Sequence, residues 1–359
     1  MPVEYYSLGR NKRLNEIVIA GSHDAGITSG GGAAKTQDLT IGAQAAAGVR
    51  FFDLRITAVV TKSSRLGTPK EVELMAFHGG LRKTKNADVM LTKFHPGTSA
   101  TVTASKAKPG TAFGEGLVAM LAQARGFVES PAGQNEFLIL KFDKCHNWGL
   151  IGEACREVLG DRIFRGGGNL NLRTLEQLKG KVVTVFSPDG LADMPGVGAP
   201  QGMLPFKKLA DGGAYETHYH GLQYYGSGGT AWWREGDKIG QNVKKQKKLM
   251  TEARHLWNPD VVGMIYWTTT GSIWNIKSRN EGMWKQANVH KFHDLWKQSL
   301  GYYLDTAIRV PMADDSPALG PARKRFMPNI VMIDFANADR CRTIRDLNDL
   351  APQTLAKLA

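Results

Sequence analysis

The chain has 359 residues, of which 42% are hydrophobic and 22% are charged. These proportions are typical of an ordinary globular protein, and they exclude a fibrous repeat. The length exceeds that of an average domain, but one α/β unit with long loops often reaches it. We therefore expect a single domain over residues 1–359.

The net charge at pH 7 is +13, from 46 Lys and Arg residues against 33 Asp and Glu residues. A surplus of this size attracts anionic partners over a long range, whether phospholipid surfaces, nucleic acid or small phosphates. Charge alone does not choose among them.

Three cysteines, Cys145, Cys155 and Cys341, have no CxxC spacing, which argues against a disulfide framework or a zinc site. We expect them to be reduced. The first residues lack the basic start and apolar run of a signal peptide, and no apolar run approaches 18 residues. The prediction is a soluble protein, either cytoplasmic or exported by a leaderless route.

A short apolar strand at residues 17–19 leads directly into the turn Gly21-Ser22-His23-Asp24-Ala25-Gly26. The two glycines let the backbone turn sharply on both sides of His23 and Asp24. An apolar strand that ends in ionisable side chains is how an α/β enzyme presents its reactive groups. This turn is the first candidate site.

The next two predicted strands carry ionisable groups as well. Residues 49–57 form a strand whose alternation places Asp53 and Arg55 on one side, where they need each other or a polar pocket. Residues 72–77 form another strand, which ends in His78 followed by two glycines. Two histidines at strand exits, with an acidic and a basic residue between them, indicate a general acid and a general base around an anion.

Strands and helices alternate along the rest of the chain. Further strands are predicted at residues 136–143, 181–186, 261–267 and 329–334, and helices at 113–128, 149–159, 237–257, 281–304 and 340–358. Residues 61–70 and 81–111 are predicted to be long basic loops, while residues 195–229 show little pattern. Lys141 and Asp143 share one strand face, and Asp334 ends the last strand. The fold class is therefore α/β, a distorted (β/α)8 barrel of the TIM type.

Four motifs resemble the X-type catalytic barrel of phosphatidylinositol-specific phospholipases C over roughly residues 10–345. They are Gly21-Ser22-His23-Asp24, Gly48-Val49-Arg50-Phe51-Phe52-Asp53-Leu54-Arg55, Phe77-His78-Gly79 and Val331-Met332-Ile333-Asp334. Their order and separations fit the family, and together they are far more specific than any one motif. An arginine at Arg55, where eukaryotic members place a calcium-binding acid, makes the chain most similar to the bacterial metal-independent type.

The resemblance implies a role for each catalytic position. His23 would be the base that takes the proton from the inositol 2-hydroxyl, and Asp334 would orient its ring. His78, assisted by Asp24, would be the acid that protonates the departing glycerol oxygen. Arg55 would neutralise the phosphorus oxygens, so neither a metal nor a redox cofactor is expected.

The substrate contacts that the resemblance implies depart from the family. The lysine and the inositol-binding arginine of the metal-independent enzymes match Asp143 and Ser187 in this chain, and Lys141 or Lys144 could compensate. The predicted substrate-binding residues are Asp53, Lys141, Asp143, Ser187 and Trp267. Asp143 with Asp24 and Asp53 could instead offer a cation site, which leaves a metal-dependent variant open.

The function implied is cleavage of phosphatidylinositol, or a related inositol phospholipid, to diacylglycerol and a cyclic inositol phosphate. The partner implied is an anionic membrane surface, which basic loops attract. Two alternatives are a metal-dependent phosphodiesterase acting on another lipid headgroup and a catalytically silent barrel that binds phosphoinositides. Nucleic-acid binding rests on charge alone, and no recognised module supports it.

Overall fold

The computed structural model describes residues 3–30, 34–66, 69–83, 87–91, 99–108, 111–194, 196–209, 214–229, 238–251, 260–269, 276–286 and 328–349. Its strands, in chain order, are β1 (Ile19–Ser22), β2 (Val49–Leu54), β3 (Ile56–Ser63), β4 (Pro69–His78), β5 (Leu81–Lys83), β6 (Ala87–Leu91), β7 (Ser99–Val102), β8 (Ser105–Ala107), β9 (Ala112–Gly116), β10 (Phe137–Phe142), β11 (Lys181–Phe186), β12 (Met203–Lys208), β13 (Leu222–Ser227), β14 (Val262–Tyr266) and β15 (Ile330–Ile333).

The helices within the described residues are α1 (Ile41–Ala47), α2 (Leu117–Glu129), α3 (Trp148–Leu159), α4 (Leu175–Leu178), α5 (Pro188–Ala192), α6 (Lys238–Thr251), α7 (Ile276–Gln286) and α8 (Ala338–Asp346). Short 3-10 helices cover Tyr6–Leu8, Leu14–Glu16, Gly160–Arg162, Leu170–Leu172, Ala199–Gln201 and Leu347–Asp349. In the part of the chain described, no helix combines the length and the apolar character needed to cross a bilayer.

Eight parallel strands close into a barrel in the order β1, β2, β10, β11, β12, β13, β14, β15 and back to β1. Every residue of β1, β2, β10 and β15 is buried, as expected for parallel strands that are covered by helices on one side and packed inside on the other. The predicted (β/α)8 barrel is confirmed. Because all eight strands are parallel, their carboxyl ends share one mouth.

Two strands of the barrel lie where the sequence shows little pattern. These are β12 and β13, which carry a proline, lysines and tyrosines in place of an apolar run. The predicted strand at residues 72–77 lies outside the barrel, because β4 pairs with β3, β6 and β9 rather than with any barrel strand. The barrel therefore has eight strands, but it includes β12 and β13 and leaves out the predicted strand at residues 72–77.

A second sheet of seven strands, β3 to β9, is inserted between barrel strands β2 and β10. The described residues of the two predicted basic loops lie mostly in this sheet, so describing those residues as loops was wrong. Residues 61–63 and 69–70 continue β3 and β4, while residues 81–83, 87–91, 99–102 and 105–107 are strands. Each of these segments is paired with a neighbouring strand, and that pairing, rather than local apolar content, creates the strand.

A buried ion pair lies at the end of the barrel opposite the mouth, between the strands and the surrounding helices. Arg50 Nε lies 2.8 Å from Glu136 Oε2, and each side chain is 2% exposed. Arg50 also donates to three backbone carbonyls, and Glu136 Oε1 accepts the amides of Tyr5 and Tyr6. This network joins the start of the chain to two barrel strands. The predicted closing helix is present as α8, and the prediction for residues 350–358 lies outside the described residues.

We expect Arg50→Met to lower the free energy of unfolding by about 3–5 kcal/mol, because it leaves the Glu136 carboxylate buried without its partner. Urea denaturation measures the change. The matched control is Lys62→Met, which removes an ion pair to Glu71 on the surface, where Lys62 is 65% exposed, and should cost less than ~1 kcal/mol. Equal effects of the two substitutions would contradict this account of the buried ion pair.

Candidate active site

The turn after β1 holds His23 and Asp24 at the barrel mouth. Asp24 has a φ of 43°, a left-handed conformation that aspartate tolerates better than most residues. A Cβ on Gly26 would lie 2.6 Å from the Cβ of Ala76 and 2.8 Å from the sulfur of Met120. Glycine is needed there because β4 and α2 pack directly against the turn.

Two other strand exits turn in the same way. Lys144, which follows Asp143, has a φ of 54°, and Phe335, which follows Asp334, has a φ of 49°. A bulky aromatic residue rarely adopts this conformation, and such departures are concentrated at functional sites. At each of these exits the chain turns sharply within one residue of a predicted site carboxylate.

The Asp24 carboxylate connects three of the predicted catalytic side chains. Its Oδ2 lies 2.8 Å from Nδ1 of His78 and 3.4 Å from Nε2 of His23, and its Oδ1 lies 3.1 Å from Nε of Arg55. Burial alone would raise the pKa of Asp24, but these neighbouring positive charges outweigh it and hold the pKa well below its ordinary value. The two predicted histidines therefore meet at a single carboxylate oxygen.

His23 is held from behind by Asp334. Oδ1 of Asp334 lies 3.0 Å from Nδ1 of His23, so the carboxylate accepts the Nδ1 proton and leaves Nε2 as the basic nitrogen. Burial opposes a charge on His23, but Asp24 and then Asp334 raise the pKa of His23 to about 9. Burial also raises the pKa of Asp334, which His23 partly offsets. The two residues predicted to form this pair, His23 and Asp334, are therefore in contact.

Asn280, which no sequence pattern indicated, extends this contact into a row of three hydrogen-bonded side chains, His23, Asp334 and Asn280. It lies on α7, and its Nδ2 donates to Oδ2 of Asp334 at 3.0 Å. A buried amide that bonds a carboxylate from another element leaves no periodic trace in a sequence, so only the tertiary structure reveals it.

The predicted substrate contacts Asp53, Lys141 and Asp143 form a second charged group. Lys141 Nζ lies 2.9 Å from Oδ1 of Asp53 and 3.0 Å from Oδ2 of Asp143, and 4.8 Å above the ring centre of Phe206. Burial opposes the charge of Lys141, but Asp53 and further neighbours outweigh it, so its pKa lies well above the ordinary value. Arg55 pairs with Asp24 rather than with Asp53, so of the two alternatives for Asp53 and Arg55 the polar pocket is the one found.

A cavity of about 560 Å³ opens at the mouth beside these groups. Its lining includes His23, Asp53, Arg55, Lys141, Asp143, Lys144, Ser187, Pro188, Phe206, Lys207, Lys208, Tyr224, Gly226, Gly228 and Tyr266. Ser187 lies in the wall, and its Oγ accepts the amide proton of Gly190 at the start of α5. Five lysine or arginine side chains against two aspartates make this lining electropositive, which suits an anion.

Trp267 does not line the cavity, so its prediction as a substrate contact was wrong. Its side chain is 1% exposed and belongs to the hydrophobic core. Because successive residues of a strand point to opposite sides, the neighbouring Tyr266 faces the cavity instead. The Tyr266 ring meets the His23 ring edge to face, with centres 5.7 Å apart.

Known proteins match this chain by structure. No protein-family model and no curated protein matches it. A variant of phosphatidylinositol-specific phospholipase C from Staphylococcus aureus is 15% identical over 94% of this chain and 95% of its own, with a TM-score of 0.50. A pentafluoro-phenylalanine form of that enzyme is 16% identical, covers 94% of each chain and has a TM-score of 0.52. The chain has the fold of bacterial phosphatidylinositol-specific phospholipase C. The predicted resemblance is thereby confirmed at the level of the fold.

Among the described residues, one group has the ligand atoms for a cation. Ligand atoms of His23, Asp24 and Asp53 all lie within 4.8 Å of one another. Arg55 and Lys141 already place positive charge against two of the three, Asp24 and Asp53. A divalent ion would have to overcome both charges, so the donor set fits a metal poorly. Asp143, the third member of the predicted cation site, does not join this group.

The raised pKa of His23 predicts a specific dependence of stability on pH. Because the folded protein binds this proton more tightly, the contribution is complete below pH 6.5 and is lost as the pH rises through about 9. The free energy of unfolding should therefore fall more steeply over that interval in the wild type than in His23→Gln. Urea denaturation at several pH values measures both slopes.

The matched control is His218→Gln, which removes an exposed histidine outside the cavity and should leave the wild-type slope unchanged. If the free energy of unfolding fell equally steeply with pH in the wild type and in His23→Gln, the folded protein would not hold this proton tightly.

Proposed function

We propose that the protein is a phosphodiesterase that cleaves phosphatidylinositol, or a related inositol phospholipid, by a phospholipase C reaction. The observation that carries the proposal is the meeting of His23 and His78 at one oxygen of Asp24, with Arg55 on the other oxygen. A base, an acid and a fixed cation at the same mouth form the set that transfer at a phosphodiester needs. A protein that only binds lipid has no use for the paired acid and base.

In the proposed reaction His23 acts in its neutral form, which a pKa of about 9 makes the minor form at neutral pH. Its Nε2 takes the proton of the inositol 2-hydroxyl while that oxygen attacks the phosphorus. Asp334 keeps Nδ1 protonated and stabilises the imidazolium that forms. His78, held by Asp24, gives a proton to the glycerol oxygen as its bond to phosphorus breaks. The products are diacylglycerol and a cyclic inositol phosphate. The Arg55 guanidinium neutralises the charge that develops on the non-bridging oxygens.

The headgroup is proposed to occupy the cavity. The ammonium of Lys141 and the carboxylates of Asp53 and Asp143 offer donors and acceptors for ring hydroxyls, and Ser187 adds a hydroxyl at the wall. Tyr266 offers an apolar surface next to His23. A cavity with one aromatic wall and clustered polar groups suits a polyol that carries a phosphate.

Two resident cations support a reaction without a metal. Arg55 and Lys141 place positive charge where the cation group of His23, Asp24 and Asp53 would bind an ion. A metal-dependent phosphodiesterase acting on another lipid headgroup is the second candidate, because the ligand atoms of His23, Asp24 and Asp53 do lie close together. Chelation separates the two.

The test is incubation with phosphatidylinositol vesicles in excess chelator, with phosphorus NMR to detect cyclic inositol phosphate. We expect turnover to survive chelation and to fall by ~10²–10⁴-fold in His23→Ala and in His78→Ala. Asp334→Asn should keep the fold and lower turnover by ~10³–10⁴-fold, because an amide can present Nδ1 of His23 with a donor. His218→Ala, which lies outside the cavity, is the control.

Turnover that stops on chelation and returns with calcium would select the metal-dependent candidate. Binding of the vesicles without any product would select a silent phosphoinositide-binding barrel. If DNA displaced the protein from the vesicles at physiological salt, that result would select the nucleic-acid alternative.

The tip of the β3–β4 hairpin is a candidate contact with the membrane. Leu66 is 95% exposed, and no other large hydrophobic residue among those described is comparably exposed. Lys62, Arg65 and Lys70 beside it are exposed bases. An apolar side chain among basic ones suits an anionic bilayer, which attracts each base by about 1 kcal/mol.

We expect Leu66→Ser to weaken binding to phosphatidylinositol-containing vesicles by ~10-fold or more, because burying a leucine contributes about 1.5–3 kcal/mol. Vesicle sedimentation measures this, and turnover of a short-chain substrate in solution should not change. The control is Arg342→Ser on α8, which removes an exposed base elsewhere. Unchanged sedimentation of Leu66→Ser would exclude this tip as a membrane contact.

A further inference from the structure

Asn280 is buried behind the His23–Asp334 pair, with 1% of its surface exposed. It is the third member of a continuous row that runs from α7 through Asp334 to the basic nitrogen of His23. We propose that Asn280 is a positioning residue, which keeps the Asp334 carboxylate ionised and turned toward His23. This inference rests on the proposed function, in which His23 is the base.

The amide of Asn280 can point in only one direction. The backbone amide of Thr269 is a donor and lies 2.9 Å from Oδ1 of Asn280, so that atom must be the oxygen. The amide nitrogen Nδ2 then faces Oδ2 of Asp334 at 3.0 Å and the backbone carbonyls of Ile276 and Thr269 at 3.0 and 3.2 Å. Asn280 therefore links the exits of β14 and β15 and offers the carboxylate a proton donor of fixed direction.

The Asp334 carboxylate depends on its donors because it is only 3% exposed, and burial raises its pKa. Among the described residues, its two oxygens have one hydrogen-bonding neighbour each, His23 on Oδ1 and Asn280 on Oδ2. Arg340 is close by, but it donates to the backbone carbonyl of Asp334. Without Asn280, Oδ2 would be buried unpaired, and the carboxyl group could take up a proton or rotate away from Nδ1 of His23.

The same strand exit contains a second buried asparagine that serves as a matched control. Nδ2 of Asn242 on α6 donates to the carbonyls of Tyr266 and Thr268 at 2.9 and 2.7 Å, and its Oδ1 accepts from Gln246. Asn242 thus ties a helix to the end of β14 as Asn280 does, but among the described residues it is not one of the hydrogen-bonding neighbours of the Asp334 carboxylate. Loss of either amide weakens the packing, but only loss of Asn280 removes a donor from Asp334.

The experiment compares Asn280→Leu, Asn280→Asp and Asn242→Leu by kcat and KM across pH. Asn280→Leu is expected to lower kcat by ~10–100-fold with little change in KM, the size of effect seen when outer partners of a site are removed. Asn280→Asp keeps the shape, and its introduced carboxyl donates only while protonated, so its activity relative to the wild type should fall as the pH rises. Asn242→Leu should keep the wild-type pH profile.

A second measurement does not depend on turnover. The proton between Nδ1 of His23 and Asp334 should give a strongly deshielded proton NMR signal in the wild type and in Asn242→Leu, and it should be lost or displaced in Asn280→Leu. An unchanged signal in Asn280→Leu, or wild-type kcat in that variant, would overturn the positioning role. A wild-type protein that shows the signal but cleaves no inositol lipid would instead reject the proposed function.

Discussion

The electrostatic constraint on which the site depends is the burial of the Asp24 carboxylate, 2% exposed, at the mouth of an apolar barrel. A buried charge without partners costs several kcal/mol, so positive or proton-donating groups must reach it from the surrounding elements. They come from three places: His23 from the same turn, Arg55 from the end of β2, and His78 from the end of β4. The pairing that stabilises the buried Asp24 carboxylate is also the pairing that brings together the proposed base, acid and fixed cation. Stability and the proposed chemistry would therefore depend on the same contacts.

The barrel by itself supplies only part of this arrangement. The chain leaves the barrel immediately after Arg55 as β3 and returns along β4 to His78, so one antiparallel hairpin carries both groups at its base. The strand β9, which pairs with β4 beside His78, packs tightly against the turn after β1, since a Cβ on Gly114 would lie 1.9 Å from the carbonyl oxygen of Gly26. The sheet inserted between two strands of the (β/α)8 barrel thus carries His78, the proposed general acid. The side chain at its tip is the most exposed large apolar group among the described residues.

The sequence predicted the parts of this structure that local pattern determines. Apolar runs that end in charged turns predicted β1, β2 and β15, because a parallel strand buried on both faces needs such a run. The charged turns after these strands identified His23, Asp24, Arg55 and Asp334. β12 and β13 were missed because Lys207, Lys208 and Tyr224 face the cavity and interrupt the apolar pattern. Trp267 was chosen over Tyr266 because the exact end of a strand, and hence which of two neighbours points inward, depends on register with the next strand. Asn280 and Phe206 were not predicted, because their roles arise from contacts between distant elements.

The shared oxygen of Asp24 has a consequence for how substitutions at the two rings combine. Since both imidazoles lie against one buried atom, removing either ring leaves that oxygen with one neighbour fewer. The effects of replacing His23 and His78 on stability are therefore coupled rather than additive, because the two contacts share a partner. Only the double substitution, compared with both single ones, separates what each ring contributes on its own.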